Sequence, residues 1–178
     1  MKKAVFLDRE GTINVGVPVY ERVDSLDKVQ LLPNSVEALK LLANLDYLVF
    51  IVTNQAGLAE GLITWDDFNE INNKVLNMIA PSGINILKSY VCPHGEADNC
   101  ECRKPKPKLL LDAAREYDVD LASSWMVGDR PSDVMTGVNA GTKSILVKTG
   151  VPTVECDQAI ATVPSLLEAV QYIAEHSL

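Results

Sequence analysis

At 178 residues the chain is long enough to bury one substantial core, and the expectation is a single domain over residues 1–178. A hydrophobic content of 47% and a charged content of 22% are ordinary for a globular protein, and a net charge of −8 argues against a nucleic-acid or anionic-membrane partner, either of which would favour a basic face. No apolar run approaches the roughly 20 residues that a bilayer span requires, and Met1-Lys2-Lys3 leads into the first strand without a leader pattern, so a cytoplasmic protein is expected.

The first element, Ala4–Leu7, is an apolar strand that delivers Asp8 at its end, with Gly11-Thr12 turning the chain. Ligands of open α/β sheets bind just beyond the carboxyl ends of the strands, so Asp8 is aimed into a site. Glu10, two residues on, pairs a candidate nucleophile with a candidate acid/base group. Val15–Leu32 is the longest irregular stretch, and a loop of that length beside a site is usually functional or mobile. Val36–Ala43 has helical spacing after a possible cap at Asn34 or Ser35, and Tyr47–Val52 reads as a buried strand. At its end, Thr53 and Asn54 could hold phosphoryl oxygens through a hydroxyl and backbone N–H groups, or could equally cap a helix. Thr64 opens a helix with Asp66 and Asp67 in its first turn, where negative charge suits the dipole; its apolar face runs through Phe68, Ile71, Val75 and Met78.

After a third strand, Ile86–Val91, come Cys92-Pro93-His94 and Cys100-Glu101-Cys102. Three thiols and an imidazole in a C-x-H-x5-C-x-C pattern suit tetrahedral Zn²⁺, and four protein ligands leave no open position, so the loop 92–102 is expected to be a structural zinc site. Arg103, Lys104, Lys106 and Lys108 follow at once as a basic, phosphate-facing cluster. Lys108–Tyr117 is a helix, Ser124–Val127 a fourth strand, Asp133–Asn139 a helix, Ser144–Val147 a fifth strand and Pro164–Ala174 a last helix. Gly128 lets the backbone come close beside Asp129, which presents a hard oxygen ligand suited, with Asp8, to Mg²⁺. Asp8, Thr53, Lys104 and Asp129 are all expected at or shortly after strand ends. Alternating strands and helices predict a three-layer, Rossmann-like α/β fold: a parallel sheet with helices on both faces, a small zinc loop and no room for a cap domain. Cys156 reads as an ordinary thiol and His176 as a surface residue.

The segment AVFLDREGT resembles the first motif of the haloacid dehalogenase (HAD) superfamily of phosphatases, usually D-x-D-G-T, and three further segments resemble the remaining motifs in order. The likeness extends over about Lys3 to Thr149 and is closest to the capless branch that contains heptose 1,7-bisphosphate and histidinol-phosphate phosphatases. It implies Asp8 as nucleophile, Glu10 as acid/base, Thr53 and Lys104 on the phosphoryl group, Arg103 orienting it, and Asp8, Asp129 and the Glu10 carbonyl on Mg²⁺, with Asp133 holding those ligands from behind. The zinc loop is also a mark of that branch. The implied reaction is hydrolysis of a small phosphate ester by a monomer through an aspartyl phosphate. A sugar bisphosphate is favoured over histidinol phosphate. Glu10 departs from the pattern: it is one methylene longer than the usual Asp, and misplacement by about 1 Å can slow a reaction on the order of 10²-fold. The consequence expected is slowed turnover, with a phosphate-binding module as the alternative.

Overall fold

The computed structural model of the chain describes residues 1–16, 26–150 and 155–177. The strands are β1 (Ala4–Leu7), β2 (Leu48–Asn54), β3 (Ile86–Cys92), β4 (Trp125–Gly128), β5 (Lys143–Val147) and β6 (Ala161–Val163). The α-helices are α1 (Ser35–Leu42), α2 (Trp65–Ile79), α3 (Lys108–Tyr117), α4 (Pro131–Ala140) and α5 (Leu166–Glu175). The strands form one sheet in the order β3-β2-β1-β4-β5-β6, and every pairing is parallel. The chain therefore winds outward from β1 in both directions. The reversal of strand order at β1 opens the crevice in which such sheets hold ligands.

Side-chain alternation along the strands divides the core into two layers. Val5, Leu7, Val49, Ile51, Trp125 and Val127 face α1, α2 and α5. Ala4, Phe6, Phe50, Val52, Tyr90 and Met126 face α3, with Phe6 stacked on Phe50 at 5.4 Å between ring centroids. All four residues of β1 are fully buried, as expected of an inner strand covered on both faces.

The expected α/β layering is present, with local differences. The short β6 was not foreseen, because three residues, Ala161-Thr162-Val163, carry too little pattern to stand out. Helix α4 begins two residues before the expected Asp133, since Pro131 is well suited to the first helical position. Thr64 caps α2 as anticipated: its hydroxyl accepts from the Asp67 N–H at 3.1 Å and the Asp67 carboxylate accepts from the Thr64 N–H at 2.7 Å. Asn34 occupies the N-cap of α1 but makes no side-chain capping bond; Ser35 instead donates to the Ile13 carbonyl at 2.8 Å, tying the helix to the loop after β1. Residues 17–25, within the long loop expected over Val15–Leu32, and residues 151–154 lie outside the described residues. Among the described residues no helix is long and apolar enough to cross a membrane.

Candidate active site

A cavity of about 820 Å³ opens at the carboxyl end of the sheet, a size typical of small-molecule sites. Asp8, Glu10, Thr53, Asn54, Arg103, Lys104 and Asp133 line it, with Ala56, Leu62 and Ile63 forming an apolar wall.

Asp8 at its floor and Asp129 beside it follow the adjacent strands β1 and β4, and Asp133 comes from the first turn of α4. Parallel pairing continues to the site, since the Asp8 N–H donates to the Val127 carbonyl at 2.9 Å. Lys104 reaches in among these acids. Its ammonium donates to Asp8 Oδ1 at 2.5 Å and to the Val52 carbonyl at 3.0 Å, and forms an ion pair with Asp133 Oδ1 at 2.6 Å. Lys104 is not near a strand end in the chain, contrary to expectation. It arrives on the loop between β3 and α3, 12 residues after Cys92. That loop is held by Asn54, whose Oδ1 accepts from the Lys104 N–H at 3.1 Å.

Burial dominates the electrostatics of the floor. It raises the pKa of Asp8 above the ordinary carboxylate range, with Lys104 opposing. Burial and the neighbouring Asp133 raise Asp129. Asp133 is pushed up to about 6 by burial, again against the pull of Lys104. Burial disfavours charge on Lys104, but Asp133 and Asp8 outweigh it and hold the ammonium above the usual lysine range.

A carboxylate oxygen from each of Asp8, Asp129 and Asp133 lies within 4.8 Å of the others, and the buried Asp129 Oδ1 has no hydrogen-bond partner. An orphaned buried carboxylate oxygen beside two more is the donor chemistry of a hard divalent cation, so the residues fit Mg²⁺. Two glycines make room for Asp129. Gly11 has φ +89°, and a Cβ there would sit 2.5 Å from Asp129 Oδ2; one at Gly150 would overlap the same carboxylate. The Thr149 hydroxyl closes this corner by donating to the Gly11 carbonyl at 2.6 Å.

Glu10 lies at the cavity wall with Oε1 paired to the Arg9 guanidinium at 2.8 Å. The Thr53 hydroxyl accepts from the Gln55 amide at 2.9 Å. That contact engages a lone pair, so the Thr53 hydroxyl still has its hydrogen to donate. Sequence reasoning had assigned no task to Gln55 or Arg9. For Arg9 a signal existed, because strand alternation continued past Leu7 places it on the face that α2 covers.

The cysteine cluster forms beside this floor. Cys92 Sγ lies 3.1 Å from Cys102 Sγ and 3.6 Å from Cys100 Sγ, and His94 Nδ1 lies 3.3 Å from Cys102 Sγ. Four ligands on a Zn²⁺ with bonds near 2.3 Å would stand roughly 3.8 Å apart, so the cluster is slightly tighter than a filled tetrahedron and fits that ion. Burial and the Cys102 contact push the Cys92 thiol up to about 12, whereas backbone N–H groups of Arg103 and Cys102 outweigh burial and bring Cys100 down to about 7. The loop also fixes its basic neighbours: Arg103 donates to the His94 carbonyl at 3.1 Å and Lys106 to the Cys100 carbonyl at 2.5 Å. Cys156 is half-buried and contacts Gln158, and His176 is exposed and stacks on Tyr172; both lie apart from the site.

A HAD-hydrolase-like family model matches residues 101–171. A D-glycero-β-D-manno-heptose-1,7-bisphosphate 7-phosphatase from Pasteurella multocida is 38% identical over 96% of this chain and 100% of its own length. The chain belongs to the HAD-like phosphatase family. The enzyme of the same name from Bordetella bronchiseptica is 40% identical over 83% of this chain and 82% of its own. The crystal structure of the B. bronchiseptica D,D-heptose 1,7-bisphosphate phosphatase, complexed with magnesium and phosphate, superposes with a TM-score of 0.88 at 33% identity, covering 98% of this chain and 99% of that one. The corresponding phosphatase from Burkholderia thailandensis gives a TM-score of 0.69 at 27% identity, covering 97% and 99%.

Proposed function

We propose that this HAD-like phosphatase removes the 7-phosphate of D-glycero-β-D-manno-heptose 1,7-bisphosphate. The observation that carries the catalytic assignment is the convergence at the cavity floor, where Lys104 bridges Asp8 and Asp133 beside the unpartnered Asp129 Oδ1. The substrate assignment draws on the names of the relatives. An acidic monomer in the cytoplasm, consisting of one domain over residues 1–178, completes the proposal.

Asp8 and Asp129, with the Glu10 carbonyl, would hold Mg²⁺, while Asp133 fixes Lys104 and the start of α4 from behind. When bound, the ion offsets charge repulsion between the nucleophile and the phosphate and orients both. Asp8 Oδ attacks phosphorus, the bond to the sugar oxygen breaks, and Glu10 gives its proton to the departing alkoxide. Glu10, now a carboxylate, takes a proton from water as the water oxygen attacks the aspartyl phosphate. Inorganic phosphate leaves and Asp8 is regenerated. Lys104, Arg103 and the Thr53 hydroxyl donate to the equatorial oxygens, where charge accumulates. Cys92, His94, Cys100 and Cys102 would hold a structural Zn²⁺ that stiffens the loop carrying Arg103 and Lys104.

The test is phosphate release with Mg²⁺ from the heptose bisphosphate and from histidinol phosphate, for the native chain and for Glu10→Asp. Preference of the native chain for the heptose ester is the expected result. Preference for histidinol phosphate replaces the substrate. Activity only in Glu10→Asp makes the native chain a phosphate-binding protein.

A further inference from the structure

Arg9 is 1% exposed at the wall of the cavity, and the phosphatase mechanism gives it no task. A buried guanidinium is costly unless its donors are used. One arm, NH1, donates to Asn72 Oδ1 at 3.4 Å, and the guanidinium lies 5.2 Å from the centroid of the Phe68 ring; both residues belong to α2. Asn72 in turn donates to Ser89 of β3 at 3.4 Å. The other arm, NH2, donates to Glu10 Oε1 at 2.8 Å. Nε has no partner, so the burial of this side chain is offset chiefly by those two arms and the aromatic face.

Glu10 needs such a hold. Its side chain is 36% exposed, and a free glutamate explores many rotamers that a catalytic acid must give up. We infer that Arg9 is the positioning residue of Glu10: anchored to α2, it draws the longer side chain sideways and leaves Oε2 to face the leaving oxygen. The extra methylene that separates Glu10 from the usual Asp is thus taken up by reach toward Arg9. This inference rests on the phosphatase reading, in which Glu10 protonates the leaving group. A positioned acid matters for an alkoxide, which departs poorly without a proton, and little for p-nitrophenolate, which is a stable anion at neutral pH.

The test compares kcat/KM, which reports the steps up to formation of the aspartyl phosphate, for heptose 1,7-bisphosphate and p-nitrophenyl phosphate. Arg9→Gln should lower kcat/KM for the sugar ester on the order of 10²-fold and for the aryl ester by far less. In a Glu10→Gln background the same change should add little, because residues acting as a unit are not additive. Asn72→Ala, which loosens the anchor but leaves the charge, should show the same selective loss at smaller size; it carries the test if Arg9→Gln fails to fold. Equal slowing of both esters, or full additivity with Glu10→Gln, overturns the inference while leaving the phosphatase standing. A native chain silent on both esters overturns the phosphatase reading, and this inference with it.

Discussion

The acid floor and the cysteine loop border the same cavity but are held together in different ways. Asp8, Lys104, Asp129 and Asp133 come from separate parts of the chain, and parallel pairing of β1 with β4 is what brings two of them together. Their like charges repel, so this region is kept in place by the surrounding fold and one buried lysine. The cysteine cluster draws all four ligands from the 11 residues between Cys92 and Cys102, needs only a local loop, and offers a geometry that a metal would complete. The fold imposes the first arrangement against electrostatic cost, whereas the second is suited to stabilise its own loop. A site that must change charge during a reaction benefits from being held by the scaffold; a scaffolding metal benefits from being closed.

The sharpest way to break this contrast is to remove the nucleophile. Asp8→Asn should lower phosphate release by more than about 10⁴-fold, measured with the sugar bisphosphate, while zinc content by elemental analysis stays at one per chain. Next is Lys104→Met, which leaves Asp8 and Asp133 without their shared cation. Breaking a buried ion pair on one side costs about 3–5 kcal/mol, or roughly 6–20 °C in Tm at this chain length, and calorimetry should record a loss in that range together with loss of turnover. An unchanged Tm would show that the floor carries no such electrostatic load.

Cys102→Ser tests the other region. Zinc should fall below one per chain, and displacement of Arg103 and Lys104 by about 1 Å should slow turnover on the order of 10²-fold, with Asp8 and Asp129 untouched. Full activity without zinc would separate the two regions entirely. The smallest effect concerns pH. Burial raises the Asp133 carboxyl from 3.8 to about 6, so between those values the folded chain holds a proton that the unfolded chain has released. The folded state then binds more protons, and the stability contributed by this group falls as pH rises through that window. In metal-free protein Tm should therefore carry a downward component from about pH 4 to 6, which Asp133→Asn removes. Mg²⁺ competes with protons at the raised carboxyls of Asp8 and Asp129, so the Tm gain from added Mg²⁺ should shrink as pH falls and grow as pH rises through the acid range.

How far each region could be read in advance follows the same division. The cysteine cluster was legible because spacing alone states both ligand identity and loop closure. Asp8 and Asp129 were legible as strand-end residues, and Thr53 as a residue at the end of β2. Lys104 was misplaced relative to the strands, because its position depends on a loop held by Asn54 and by the cysteine cluster. Arg9 was overlooked because a charged residue after a strand reads as solvated until α2 is seen to cover it. The strand β6 was missed because three residues carry no period.

Pattern along the chain was enough for the α/β class, the order of the five helices and of β1 to β5, and the residue types available for chemistry, since apolar periodicity and ligand spacing are properties of neighbouring residues. It took the packed fold to set Lys104 on Asp8 and Val52 in an ion pair with Asp133, to leave Asp129 Oδ1 without a partner, and to pair Arg9 with Glu10. Those outcomes depend on burial and on contacts between residues as many as 96 positions apart, as Asp8 and Lys104 are. Both pKa values and hydrogen-bond partners are set by what surrounds a group in space, and no local pattern specifies that.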